Sequence, residues 1–159
     1  MLDSLQMHTP FWLMLLRLLI AAIFGGLVGW DREAKGRPAG LRTHILVAIG
    51  SAGFTLIAIE FYESVRETSS SGMGDPMRIV AAIVGGVGFL GAGAIIQARG
   101  EVKGVTTAAG IWAVAAVGSA AGAGYYELCF LLTVFAMATL TVVRRLEKHT
   151  SQIPHERVD

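Results

Sequence analysis

Long runs without a charged residue are the feature that most limits what this chain can fold into. A helix needs about 20 predominantly apolar residues to cross the hydrocarbon core of a bilayer. Five runs approach or reach that length, and only the first contains a charge, Arg17; they are residues 11–30, 43–59, 79–98, 104–126 and 128–143. The chain therefore predicts five transmembrane helices.

Composition supports a membrane protein and excludes other classes. Apolar residues make up 53% of the 159 residues and charged residues only 16%, against about 25% charged in soluble domains. A disordered chain would be poorer in apolar residues, and strands of a membrane barrel would alternate in polarity. We predict an all-α membrane protein with one transmembrane domain over 1–143 and a short cytoplasmic tail, 144–159. The expected spans are about 11–30, 43–61, 77–98, 105–124 and 126–143.

Basic residues set the expected orientation, because loops rich in Lys and Arg stay on the cytoplasmic side. The second and fourth loops carry only Arg66 and Arg78. Ten basic residues lie in the first loop, the third loop and the tail: Arg32, Lys35, Arg37, Arg42, Arg99, Lys103, Arg144, Arg145, Lys148 and Arg157. This predicts an N-terminus outside the cell membrane and a cytoplasmic C-terminus.

Glycine is concentrated in the third predicted span, which contains Gly85, Gly86, Gly88, Gly91 and Gly93. In lipid, small residues let helix backbones approach closely and pack. At helical spacing Gly85 and Gly88 form one smooth seam with two alanines, and Gly86 and Gly93 form a second with Ala82. We therefore expect a central, closely packed third helix, and a helix broken at 88–93 around a substrate or ion is the alternative.

Arg17 is the ionisable residue that lies deepest in a predicted span, and a charge there needs a partner or access to water. Glu60, Asp75 and Glu127 lie at the outer ends of other spans, and we favour Glu60 or Asp75 as the partner. A structural ion pair, an arginine that reaches the membrane surface, and a route for ions or protons all remain open.

Both signs of charge flank the short first loop. Arg32 and Glu33 precede it, and Arg42 and His44 follow it. Such charges either set topology and contact lipid headgroups or form a binding patch for an anion, a cation or a partner protein.

The sequence gives no support for catalysis, a cofactor or a metal. Common hydrolase, protease and P-loop motifs are missing, and Cys129 has no adjacent base. The G-x-G-x-x-G match at 86–91 lies within an apolar run, outside the strand–helix context of a nucleotide site. The four histidines are scattered without ligand spacing. A net charge of +1 argues against nucleic acid as a partner.

Five motifs in order resemble the MgtC/SapB family of bacterial inner-membrane proteins, and the resemblance covers nearly the whole chain. Val105 replaces the leucine that is usual in the last motif. The motifs are Gly29-Trp30-Asp31-Arg32-Glu33, Ala39-Gly40-Leu41-Arg42-Thr43, Asp75-Pro76-Met77-Arg78-Ile79, the stretch Gly85-Gly86-Val87-Gly88-Phe89-Leu90-Gly91-Ala92-Gly93, and Gly104-Val105-Thr106-Thr107-Ala108-Ala109.

The resemblance implies a non-enzymatic, multi-pass protein of the bacterial inner membrane, associated with growth at low magnesium, acid resistance and survival in host phagocytes. Its best-known members resemble regulators of other membrane machinery, including the F-type ATP synthase. Longer members carry a soluble C-terminal domain, which we do not expect in this sequence. The candidate functional polar residues are Arg17, Arg32, Glu33, Arg42, Asp75, Arg78, Thr106 and Thr107.

Two functions follow as expectations. In the first, the protein regulates other membrane proteins in the bilayer. In the second, it is a small ion or solute transporter or channel whose path includes Arg17, Asp75 and the third-span glycines. Five helices are few for a monomeric transporter, so the second function would favour a homo-oligomer.

Overall fold

The computed structural model describes residues 7–68, 76–98 and 101–143. Five helices and one two-stranded hairpin make up these residues. In chain order they are α1 (Phe11–Ala34), α2 (Leu41–Thr68), α3 (Pro76–Gly93), β1 (Ile96–Ala98), β2 (Glu101–Lys103), α4 (Val105–Ala123) and α5 (Tyr126–Ala138), which continues into a π-helical segment, Thr139–Val143.

The prediction of a helical membrane protein is confirmed. Helices α1, α2 and α4 are each long and apolar enough to cross a bilayer, whereas α3 and α5 with its π-helical continuation form shorter apolar helices. One helix overlaps each of the five predicted spans, but α1 continues to Ala34 and α2 extends from Leu41 to Thr68, beyond the predicted bounds. Helix α3 begins at Pro76, where proline suits the first helical position. The five-pass count and the orientation of the termini stay predictions.

The core of the bundle lies where α1, α2 and α4 meet, and small residues allow their backbones to approach closely. A methyl group added at Gly122 of α4 would lie 2.5 Å from the carbonyl oxygen of Ala52, and one at Gly118 would overlap the Ala48 backbone. Gly25 of α1 faces the same Ala48, with 2.6 Å between the added carbon and Ala48 Cβ. These contacts use the small-residue spacing of four that favours helix association in lipid.

Helix α3 lies at the edge of this core and not at its centre, which differs from our expectation. It packs on α2 and α4 through buried Ile83 and Val87. Of its glycines only Gly91 contacts another helix, at Ala108 of α4. Among the described residues, nothing lies within 4 Å of a methyl group added at the other four: Gly85, Gly86, Gly88 and Gly93. The expected central packing is therefore made by the glycines of α1 and α4.

The third predicted span is shorter than expected at its C-terminal end. We predicted helix to residue 98, but α3 ends at Gly93 and the chain turns into an antiparallel hairpin with Ile96 opposite Lys103. Gly104 follows the hairpin with φ +93°, and a side chain there would overlap the Ala94 carbonyl oxygen. Only glycine combines this left-handed backbone with such a close approach, so Gly104 fixes the turn into α4.

We expect Gly118→Ala to destabilise the folded protein by about 1–3 kcal/mol, because the new methyl group would overpack the α2–α4 contact. Gly85→Ala is the matched control, since its added methyl group meets nothing within 4 Å. Unfolding of both purified variants in mild detergent measures the difference. Equal stability of the two variants would contradict the assignment of the core.

Candidate functional site

Polar side chains gather at the end of the bundle where α1 ends and both α2 and α4 begin, which we call the basic end. The guanidinium Nη2 of Arg32 donates a 2.5 Å hydrogen bond to Thr107 Oγ1. Arg32 is only 5% exposed and Thr107 only 4%. The structure thus joins two of the predicted site residues, from α1 and α4, in one buried contact.

A cavity of about 740 Å³ opens beside this contact, and we call it the basic cavity. Its wall is built from α1, the α1–α2 loop, β2, the start of α4 and the π-helical segment. The lining residues are Asp31, Arg32, Lys35, Arg37, Pro38, Val102, Lys103, Gly104, Val105, Thr106, Thr107, Thr139 and Leu140. Arg32, Thr106 and Thr107 are the predicted site residues that the structure brings together here.

Lys35 ties two walls of the basic cavity together. Its Nζ lies 2.6 Å from Asp31 Oδ1 on α1 and donates a 3.2 Å hydrogen bond to Thr141 Oγ1 in the π-helical segment. The negative charge of Asp31 is therefore paired with Lys35 in the cavity wall. This bridge holds the end of α1 against the C-terminal end of the bundle.

Glu33 and Arg42 lie at the same end of the bundle, but neither is among the residues that line the basic cavity. The Glu33 carboxylate accepts a 2.8 Å hydrogen bond from the backbone N–H of Leu41, the first residue of α2. An acidic group at a helix N-terminus satisfies a free donor and interacts favourably with the helix dipole. Arg42 is exposed and does not line the basic cavity.

Arg17 lies near the opposite end of the bundle. Its Nη1 donates a 2.9 Å hydrogen bond to the carbonyl oxygen of Gly122, in the last turn of α4. A cation beside the last carbonyls of a helix satisfies an orphan acceptor and offsets the negative end of the dipole. The guanidinium also packs against Gly124, which ends α4 with φ +83°.

The expected ion pair between Arg17 and Glu60 is not formed. The Glu60 carboxylate instead accepts hydrogen bonds from the backbone N–H groups of His8 and Thr9, at 2.7 and 3.0 Å. It thereby fixes the segment before α1 to α2. The other expected partner, Asp75, lies outside the described residues, and Arg78 is exposed at the start of α3.

His44, which the sequence places beside the first loop, is a buried residue of α2 and does not line the basic cavity. It is fully buried; its Nδ1 lies 2.9 Å from the Gly40 carbonyl oxygen, and its Nε2 faces Gly110 of α4. Gly29 of α1 has no side chain, which leaves room for the Cβ of His44. The sequence signal for this buried histidine is the presence of small residues, such as Gly29 and Gly110, on other spans. The sequence does not show that these spans lie next to His44.

A second cavity, of about 510 Å³, lies between α2 and α3 and is almost entirely apolar; we call it the apolar groove. It lies midway along α3, where Gly86 contributes to the wall. The lining residues are Leu46, Val47, Gly50, Ser51, Phe54, Ile79, Ala82, Ile83, Gly86, Val87 and Leu90. An apolar site of this kind suits hydrocarbon or an apolar side chain and offers few oxygen ligands to a cation.

The described residues contain no group of three or more His, Cys, Asp or Glu side chains arranged to hold a metal ion. Cys129 is a buried free thiol on α5. Its neighbour Thr133 bonds back to the Cys129 carbonyl oxygen at 2.9 Å.

Comparison with known proteins identifies the family of this chain. Residues 18–149 match the sequence profile of the MgtC family. The chain belongs to the MgtC family. This confirms the resemblance carried by the five motifs.

Three named relatives cover most of this chain. YhiD of Escherichia coli K12, whose name suggests magnesium transport, is 42% identical over 132 residues, covering 83% of this chain and 61% of YhiD. SrpB of Synechococcus elongatus is 40% identical over 140 residues, covering 83% of this chain and 75% of SrpB. MgtC of Brucella abortus is 41% identical over 126 residues, covering 79% of this chain and 49% of that protein.

The MgtC-family chain therefore spans about three-fifths of the length of YhiD. No solved structure matches it. The matched region includes α1 from Leu18 onward and every later described element, so it contains both the basic cavity and the apolar groove.

We expect Thr107→Val to destabilise the protein by about 1.5–3 kcal/mol, the usual worth of a hydrogen bond to a charged group. The substitution preserves shape but removes the Oγ1 that accepts the hydrogen bond from Arg32 Nη2. Thr106→Val is the matched control, because Thr106 is exposed at the next position of α4. Unfolding in detergent should separate the two variants, and an equal effect of both would contradict a structural role for the Arg32–Thr107 bond.

Proposed function

We propose that this protein crosses the bacterial inner membrane five times, with its N-terminus outside and its C-terminus in the cytoplasm. In this topology it acts as a non-enzymatic regulator of other membrane machinery during adaptation to low magnesium, acid or host stress. Membership of the MgtC family supports the membrane location. The concentration of basic residues at one end of the bundle supports the orientation.

The apolar groove beside α3 is the observation that carries the regulatory role. Four of the five α3 glycines have open space around them, and Gly86 contributes to the groove wall. Glycine offers little contact to lipid tails but lets another helix approach closely. We therefore propose a transmembrane helix of a partner protein as the occupant of this groove, with the F-type ATP synthase as the first partner to test.

The packing of the core favours regulation over transport. From the level of Arg17 toward that of Arg32, the α4 backbone packs directly on the α2 backbone, at Gly122 and then at Gly118. A transported ion would need polar ligands or water along its route. The name of YhiD keeps magnesium transport as the second candidate function, and it would be carried out by an oligomer.

We expect Gly86→Leu to abolish regulation of the F-type ATP synthase, because the leucine side chain would fill the apolar groove. Gly85→Leu is the matched control: both positions have open space, but only Gly86 lines the groove. The measurement is ATP-driven proton pumping by inner-membrane vesicles that contain each variant at equal amounts. The wild-type protein and Gly85→Leu should change the pumping rate equally, and Gly86→Leu should leave it at the level of vesicles without the protein.

A photo-crosslinking residue placed at Leu90 tests the same contact directly. Leu90 lines the apolar groove, whereas its exposed neighbour Phe89 does not. Crosslinks from position 90 to a membrane subunit of the ATP synthase, with none from position 89, would support the groove. Equal labelling from both positions would contradict it.

Reconstitution tests the second candidate function. We expect purified protein in liposomes to produce no flux of magnesium or protons above that of protein-free liposomes. Flux that is lost in Arg17→Ala or Asp75→Asn would replace regulation by transport. The fluorescence of magnesium- and proton-sensitive dyes trapped in the liposomes measures both ions.

A further inference from the structure

We propose that the apolar groove binds its partner helix through a hydrogen bond to the hydroxyl group of Ser51. The partner then carries a neutral polar side chain, an amide or a hydroxyl, at this level of the membrane. This proposal rests on the proposed function, according to which a transmembrane helix of another protein occupies the groove. It adds the chemistry by which that helix is recognised.

Ser51 is the only residue with a polar side chain among the described residues that line the apolar groove. It is 3% exposed, and Gly50, the residue before it on α2, lines the groove as well. A serine hydroxyl can donate one hydrogen bond and accept two. The otherwise apolar wall therefore offers one hydrogen-bonding group at a fixed position.

Ser51 differs from the other buried hydroxyl groups that the structure describes, because each of those has a partner within the chain. Thr55 and Thr133 each donate to the carbonyl oxygen four residues earlier in their own helix, at 2.8 and 2.9 Å. Thr107 accepts the hydrogen bond from Arg32. The carbonyl oxygen of Ser51 accepts the bond from Thr55, but its hydroxyl has no hydrogen bond within the described part of the chain.

The position of Ser51 along α2 keeps water and lipid headgroups away from this hydroxyl. Ser51 lies ten positions after Leu41, the first residue of α2, which corresponds to about 15 Å of helix. That distance is about half the ~30 Å thickness of the hydrocarbon core. Hydrocarbon offers no hydrogen bond, so an unpaired polar group at this depth is costly. An occupant with a polar atom at this level is therefore favoured over a lipid chain.

The glycines of the groove permit a helix to approach closely enough for this bond. The serine side chain is short, so the backbone of a second helix has to come near. A methyl group added at Gly50 or Gly86 would meet no described atom within 4 Å, and both residues line the groove. Small residues and hydrogen bonds between helices both hold membrane helices together. A neutral side chain suits this position, because a charge at this depth is expensive.

Synthetic transmembrane peptides test the proposed hydrogen bond. Two leucine–alanine peptides differ at one central position, which is glutamine in the first and leucine in the second. Their affinity for the full-length chain in phosphatidylcholine vesicles is measured by fluorescence energy transfer. We expect the wild-type protein to bind the glutamine peptide about threefold to tenfold more tightly, the usual strength of a hydrogen bond between membrane helices. Ser51→Ala should bind both peptides equally.

Thr55→Val is the matched control, because it removes another buried hydroxyl from α2. That hydroxyl already bonds within its own helix, and Thr55 does not line the groove. The variant should keep the wild-type preference for the glutamine peptide. A preference that persists in Ser51→Ala, or that is lost equally in both variants, would overturn the proposal, as would failure of the glutamine peptide to bind the wild-type protein.

Thermal unfolding in mild detergent tests whether the Ser51 hydroxyl acts inside the fold instead. Because this hydroxyl has no hydrogen bond within the described part of the chain, Ser51→Ala should leave the Tm at the wild-type value or raise it. A Tm lowered as much as in Thr55→Val would assign the hydroxyl a role within the protein and would overturn the proposal.

The proposed function and this hydrogen bond can fail separately. If Gly86→Leu removes the effect on proton pumping but the glutamine preference persists in Ser51→Ala, the groove contact stands and the hydrogen bond is wrong. If the wild-type protein leaves proton pumping unchanged but the glutamine preference depends on Ser51, the regulatory function is wrong and the polar helix contact stands.

Discussion

The close backbone contact between α2 and α4 is the constraint on which the rest of the structure depends. Gly118 and Gly122 meet Ala48 and Ala52 so closely that no side chain larger than hydrogen fits on α4. In a bilayer no hydrophobic force draws helices together, so this contact must supply the packing. Once α2 and α4 are in place, α1 packs on α2 through Gly25 and Gly29, and α3 is left at the edge.

This arrangement separates a rigid interior from two accessible regions. The interior polar groups act within the protein: Arg17 caps α4, and His44 fills a space between helices. The basic cavity at one end is lined mainly by charged and polar side chains, whereas the apolar groove beside α3 is lined almost entirely by apolar ones.

The sequence predicted where the helices lie along the chain better than it predicted which helices pack against each other. Uncharged runs located all five helices because length and apolarity decide what enters a bilayer. The hairpin was missed because three-residue strands leave too short a pattern. Seams of small residues show which helix faces can pack closely, but they do not show which helix packs on each face. The many glycines of α3 therefore led us to expect that helix at the centre. The basic cavity joins Arg32, Lys103 and Thr139, which only the folded chain brings together.

The two arginines of α1 have a geometric consequence for how the bundle can move. Fifteen residues separate Arg17 from Arg32, and fifteen separate their partners Thr107 and Gly122 on the oppositely directed α4. Each interval corresponds to about 22 Å of helix. Because both ends are fastened at matched spacing, sliding of α1 along α4 would break both bonds at once. The two bonds therefore favour movement of α1 and α4 together as one unit.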